Sequence, residues 1–187
     1  MHKDNICGKS KFFAAACSSD RWREGKEKLV RLPEADSNAF QAYVHWVYTG
    51  GVVPEVHWGK TGLTEHEIKD ALVEAFLLGD VLDDAELRRK AIDMLILDHA
   101  NWPNTLSNET IHRIWNATPK GSPLRRFFIE NQINRFRRTS FAEGVAKYPT
   151  ELTQELAVAL MQRTKILDPK DSLKDLQDKF HPDKCTI

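Results

Sequence analysis

Along most of this chain the apolar residues recur at the three- and four-residue spacing of amphipathic helices. The clearest case begins at Asp36 or Ser37 as an N-cap. Phe40, Tyr43, Val44, Val47 and Tyr48 then follow the i, i+3, i+4, i+7, i+8 rule, and Gly50-Gly51 ends the helix. A loop with Pro54 and two glycines runs to Gly62. Thr64 and Glu67 form a capping box for a second helix carrying Ile68, Ala71, Leu72, Ala75 and Phe76. Gly79 is expected to break that helix. Asp83 with Glu86 then caps a third, which faces Leu87, Ala91, Met94 and Leu95 to the core. In the opening, His2 to Ser18, Ile6, Ser10 and Phe13 lie near one face with Cys7 and Cys17 beside them.

The spacing changes to two residues in Glu27-Lys28-Leu29-Val30-Arg31-Leu32, between Gly25 and Pro33. That alternation predicts a half-buried strand, and Val52-Val53 offers a second, very short one. A lone strand is marginal in water, so the predicted sheet is incomplete unless that pair supplies its partner.

At Asn101-Trp102-Pro103-Asn104 the composition shifts, and the domain boundary is placed there. Beyond it, Ser107 starts a helix with Ile111, Ile114 and Trp115. Ser122-Pro123 pairs an N-cap with proline at the first helical position of a helix carrying Leu124, Phe127, Phe128, Ile133 and Phe136. Thr150 caps a helix with Leu152, Leu156, Ala159 and Leu160, and Leu173, Leu176 and Phe180 suggest a short last one.

Charge narrows the function. Acidic and basic residues balance at 27 each, which argues against a general nucleic-acid binder that would need a basic excess. No apolar run reaches membrane-spanning length, and Met1-His2-Lys3-Asp4 lacks the basic start and apolar stretch of a signal peptide. Cys7, Cys17 and Cys185 are odd in number and without paired spacing. Reduced thiols and an intracellular location, cytoplasm or nucleus, are expected.

Several ordered motifs resemble the BTB/POZ domain, especially its fungal branch. They are His2-Lys3-Asp4, Ser10-Lys11-Phe12-Phe13, Trp22-Arg23-Glu24, Val30-Arg31-Leu32-Pro33-Glu34, and the run from Phe40 to Trp46-Val47-Tyr48-Thr49-Gly50. The last looks like that family's F-x-x-x-x-x-W-x-Y-x-G signature, and the helices from Ile68 to His99 fall where the family has its closing hairpin. Ser122-Pro123-Leu124-Arg125-Arg126 and His181-Pro182-Asp183-Lys184-Cys185 look like the tail of the fungal branch. The resemblance implies an α+β, predominantly helical fold: a BTB/POZ-like helical cluster with a small incomplete sheet over residues 1–100, then an all-helical tail over 101–187. The family's first strands are missing, so a truncated domain from a misplaced start site is expected, without conventional dimerisation.

By the same resemblance the chain is a protein–protein interaction module. One version is a substrate adaptor for a cullin-type ubiquitin ligase, with Trp22 filling an apolar pocket and Glu24 adding a polar contact. The other is a stand-alone homo- or hetero-oligomerisation module. The partners expected are thus other proteins, either a cullin scaffold or the chain itself. The alternative reading, left open beside the interface role, is that Trp22 simply covers the local core.

The remaining candidates are weaker. His181-Pro182-Asp183 is the tripeptide of J-domain co-chaperones, but the chain ends four residues later, leaving no second helix. His181 and Cys185, with Cys7 or Cys17, fall short of the four ligands of structural zinc. Arg125, Arg126, Arg135, Arg137 and Arg138 form a basic cluster, read as a solvated face opposite a core stripe rather than a phosphate site. His45, Trp46, Trp58, His66, His99, Trp102, His112 and Trp115 are scattered and complete no catalytic motif. No catalysis, cofactor or metal is expected.

Overall fold

A computed structural model describes residues 2–18, 27, 29–32, 37–52, 64–97, 106–134 and 145–163. Among them are eight helices: α1 (Lys3–Lys9), α2 (Lys11–Ser18), α3 (Ser37–Thr49), α4 (Glu65–Val81), α5 (Ala85–Leu97), α6 (Asn108–Ala117), α7 (Pro123–Asn134) and α8 (Thr150–Arg163). The α4–α5 hairpin is the centre. The α1–α2 corner and α3 pack on one side of it, α6 lies along α4, α7 rests on α5 and α6, and α8 covers α7. One apolar core runs through these layers, from Tyr43 and Trp46 of α3 through Leu72, Phe76, Leu87 and Leu95 to Ile114, Phe128 and Leu152. Among the described residues no helix is long and apolar enough to cross a membrane.

Helix α4 starts as the sequence predicts. The Thr64 hydroxyl accepts from the Glu67 N–H at 3.3 Å while the Glu67 carboxylate accepts from the Thr64 N–H at 2.6 Å. It is buried nearly all round because α3, α5 and α6 all touch it. Gly79 does not break it, contrary to expectation. A Cβ there would lie 3.0 Å from Arg88 Cγ, 3.3 Å from Arg88 N and 3.3 Å from Asp84 O, so glycine lets α4 and α5 approach closely. The turn between them places Asp83 in the left-handed region, at φ 46°.

The cap of α5 is Asp84, not Asp83. Its carboxylate is fully buried and accepts from the Leu87 N–H at 2.9 Å and from the Trp46 indole N–H at 3.1 Å. The same turn holds the α1–α2 corner. Ser10 Oγ donates to the Leu82 carbonyl at 2.6 Å and accepts from the Phe13 N–H at 3.0 Å, and the Phe12 N–H reaches that carbonyl at 3.4 Å. A carbonyl orphaned at the end of α4 is thus satisfied by the next layer.

The expected sheet is absent among the described residues. Glu27 is helical, and residues 29–32 run without any ladder. Their alternation does report burial: Val30 and Leu32 pack against the core while Leu29 and Arg31 face out. A period of two specifies which side chains point inward, but a strand also needs a neighbour to receive its N–H and C=O groups. Val52 is buried in a bend, and Val53 lies outside the described residues.

This corrects the α+β class and the BTB/POZ resemblance together, since that fold carries a sheet and the described residues form eight helices and no sheet. The residues that carried the resemblance serve helix packing. Trp46 anchors α3 to the α5 cap, Ser10 ties the first corner to the α4 end, and Tyr48 is exposed with its hydroxyl accepting from the His2 N–H at 2.9 Å. The expectation of a ubiquitin-ligase adaptor loses its basis with the resemblance. The boundary at 100/101 falls outside the described residues.

Arg125 departs most from the solvated face expected of it. It is 3% exposed. Its Nε donates to Thr118 Oγ1 at 3.1 Å and its Nη2 to the carbonyls of Trp115 and Thr118, both at 2.5 Å. Nη1 donates to Glu151 and Glu155, both at 3.0 Å. The guanidinium lies 5.4 Å from the centre of the Trp115 ring. One side chain therefore joins the end of α6, the start of α7 and the start of α8. Replacing Arg125 by Met removes every donor while burying the same length of stem, and is expected to cost about 3–5 kcal/mol in denaturant unfolding. Arg125→Lys should recover only part, because an ammonium cannot match the planar fork. A loss below about 1 kcal/mol for Arg125→Met would contradict this role.

Candidate protein-binding groove

Helices α4 and α6 lie side by side and run the same way. The Asp70 carboxylate accepts from Thr110 Oγ1 at 2.8 Å, and one turn on the Glu74 carboxylate accepts from Arg113 Nη2 at 2.8 Å. A groove of about 1030 Å³ opens between them, with the Glu74–Arg113 pair on its lining. From α4 it takes Glu74, Leu77, Leu78 and Val81, and from α6 Glu109, His112, Arg113 and Asn116. Both sets follow i, i+3, i+4, i+7, or close to it, so each helix contributes one stripe. Phe12, Leu32 and Ala39 add apolar wall from three other parts of the chain.

The floor is apolar and the rim charged. Leu77 and Leu78 are buried, but Val81 is 63% exposed and Phe12 is also exposed. On the rim, Glu74 pairs with Arg113, Asp80 with Arg88 at 2.5 Å, and Arg31 with Glu27 at 3.4 Å. His112 also lines the groove, its Nε2 lying 2.9 Å from the Lys147 carbonyl oxygen. Glu109 is the lining carboxylate with no ion pair among the described residues.

Titration elsewhere follows packing. Burial pushes the Tyr43 hydroxyl well above the ordinary phenol range, and the nearby Asp84 carboxylate adds to it. Burial likewise raises the Cys7 thiol, with Cys17 next in effect. Hydrogen bonding to Lys9 at 2.6 Å holds the Glu86 carboxyl below its usual value. That link between α1 and α5 is present above the ordinary glutamate pKa and lost as pH falls through the lowered one.

The residues singled out by sequence fare differently. Trp22 and Glu24 lie outside the described residues, as do Arg135, Arg137, Arg138, Trp58, His99, Trp102, His181 and Cys185. Trp46 and Trp115 are core residues. Cys7 and Cys17 are free thiols, each half-buried. Among the described residues no group of three or more His, Cys, Asp or Glu side chains is arranged to hold a metal. Sequence reasoning missed the groove. Its only trace there is an α4 stripe that runs through Leu77 and Leu78 and continues past Gly79 to Val81. Compared with known proteins, the chain matches no family model, no curated protein and no solved structure.

Leu77 and Val81, both on the α4 stripe, differ in what they support. Val81→Asp is expected to change unfolding stability by less than about 0.5 kcal/mol, since the side chain is already in water. Leu77→Asp buries a carboxylate and should abolish cooperative thermal unfolding. Equal destabilisation by both would mean that Val81 is covered.

Proposed function

We propose that this chain is a protein-interaction module whose docking surface is the α4–α6 groove. The observation that carries this is an apolar floor, partly open to water at Val81 and Phe12, inside a rim whose charged residues, Glu109 apart, are already held in ion pairs. An apolar centre with a polar rim is the general anatomy of a protein–protein interface. Paired rim charges are preorganised, so a partner that settles there orders few new side chains. The lining holds no serine, threonine or cysteine among the described residues, which favours binding over covalent catalysis. Balanced net charge agrees with a protein rather than a nucleic acid as partner.

The test places the photo-crosslinking amino acid p-benzoylphenylalanine at Val81 in the full chain, in cells that naturally make it. The expected result is a discrete adduct with one protein, identified by mass spectrometry. Purification of that protein should recover the wild-type chain but not Val81→Asp. Adducts formed only within the chain, or recovery unaffected by Val81→Asp, would overturn the proposal.

A further inference from the structure

The shape of the groove bears on what fills it. Its walls are two parallel helical stripes, each spanning eight residues, or about 10 Å from first to last along a helix axis. A third helix packs onto such a pair by setting its own ridge of side chains between theirs. Anchors at i, i+3 or i+4, and i+7 on that helix span the same 10 Å or so. An edge strand would instead need a run of exposed backbone N–H and C=O groups, which the α4 and α6 walls do not offer; among the described lining residues just Arg31 and Leu32 lie outside a helix.

Charge adds the second constraint. With Glu74, Asp80 and Arg31 each already paired, Glu109 gives the groove one negative charge that is uncompensated among the described residues. It sits in the first turn of α6, at one end of the stripe. A partner bringing a carboxylate there would meet repulsion; one bringing a lysine or arginine would complete a rim pair.

We propose that the α4–α6 groove binds an amphipathic helix, presenting apolar side chains at i, i+3 or i+4 and i+7, with a basic residue placed against Glu109. This rests on the groove being an interaction surface, and goes beyond it in naming the shape and charge of the occupant.

The test uses two synthetic alanine-based helical peptides with the same leucine stripe, one with lysine and the other with glutamate on the flanking positions. Each is titrated to millimolar concentration into the full, isotope-labelled chain, and binding is followed by NMR. The expected result is that the lysine peptide shifts the signals of Leu77, Val81 and Arg113. It should bind about two- to fivefold more tightly than its glutamate twin, the range of an exposed ion pair. Glu109→Gln should erase the preference while both peptides still bind. Val81→Asp should weaken both. Shifts confined to other surfaces, no binding by either peptide, or a preference unchanged in Glu109→Gln would overturn the inference. These outcomes stand apart from the crosslinking test: an adduct at Val81 to a partner lacking such a helix would preserve the interaction module and sink this inference alone.

Discussion

A carboxylate removed from water must find donors or lose its charge, and in this chain Asp84 finds them on two different helices. Its bond to the Leu87 N–H starts α5, and its bond to the Trp46 indole fixes α3 against the α4–α5 turn. Because that turn is set, the Leu82 carbonyl faces the α1–α2 corner and receives Ser10 and Phe12. Gly79 allows the two helices to approach closely enough for the turn to close. Phe12, Leu77 and Val81 then stand together on the groove wall.

Apolar burial supplies most of the driving force but little direction. Here direction comes from two buried polar hubs. Asp84 orders the first five helices, and Arg125 orders the last three. Between them α4 and α6 are joined by the Asp70–Thr110 and Glu74–Arg113 bonds. The groove opens where that line of polar contacts stops and Leu77, Leu78 and Val81 take over.

The helices were legible because a period near 3.6 and their caps are local properties. Thr64 with Glu67, Ser107 and Ser122-Pro123 all mark real helix starts. What depended on a second element was not legible. The alternation at 29–32 goes with Val30 and Leu32 packing inward, yet it carried no information about a neighbouring strand, and the strand read from it is not formed. Gly79 read as a stop because its value lies in the approach of α5, and Arg125 read as a surface cation because its acceptors belong to α6 and α8. The motif resemblance misled for a related reason: a tryptophan, a serine and a glycine at suggestive spacing serve helix packing as readily as they serve a mixed fold. The groove exists only once α4 and α6 lie side by side, so neither stripe alone announced it. Trp22 and Glu24 lie outside the described residues.

The most direct measurement is a double-mutant cycle between Trp46→Phe and Asp84→Ala, read by denaturant unfolding. If the indole–carboxylate bond is the joint on which the first five helices depend, the two changes should be strongly non-additive, with a coupling of about 1–3 kcal/mol. Additivity within about 0.5 kcal/mol would show that α3 and the α4–α5 turn are placed independently, and would contradict the account.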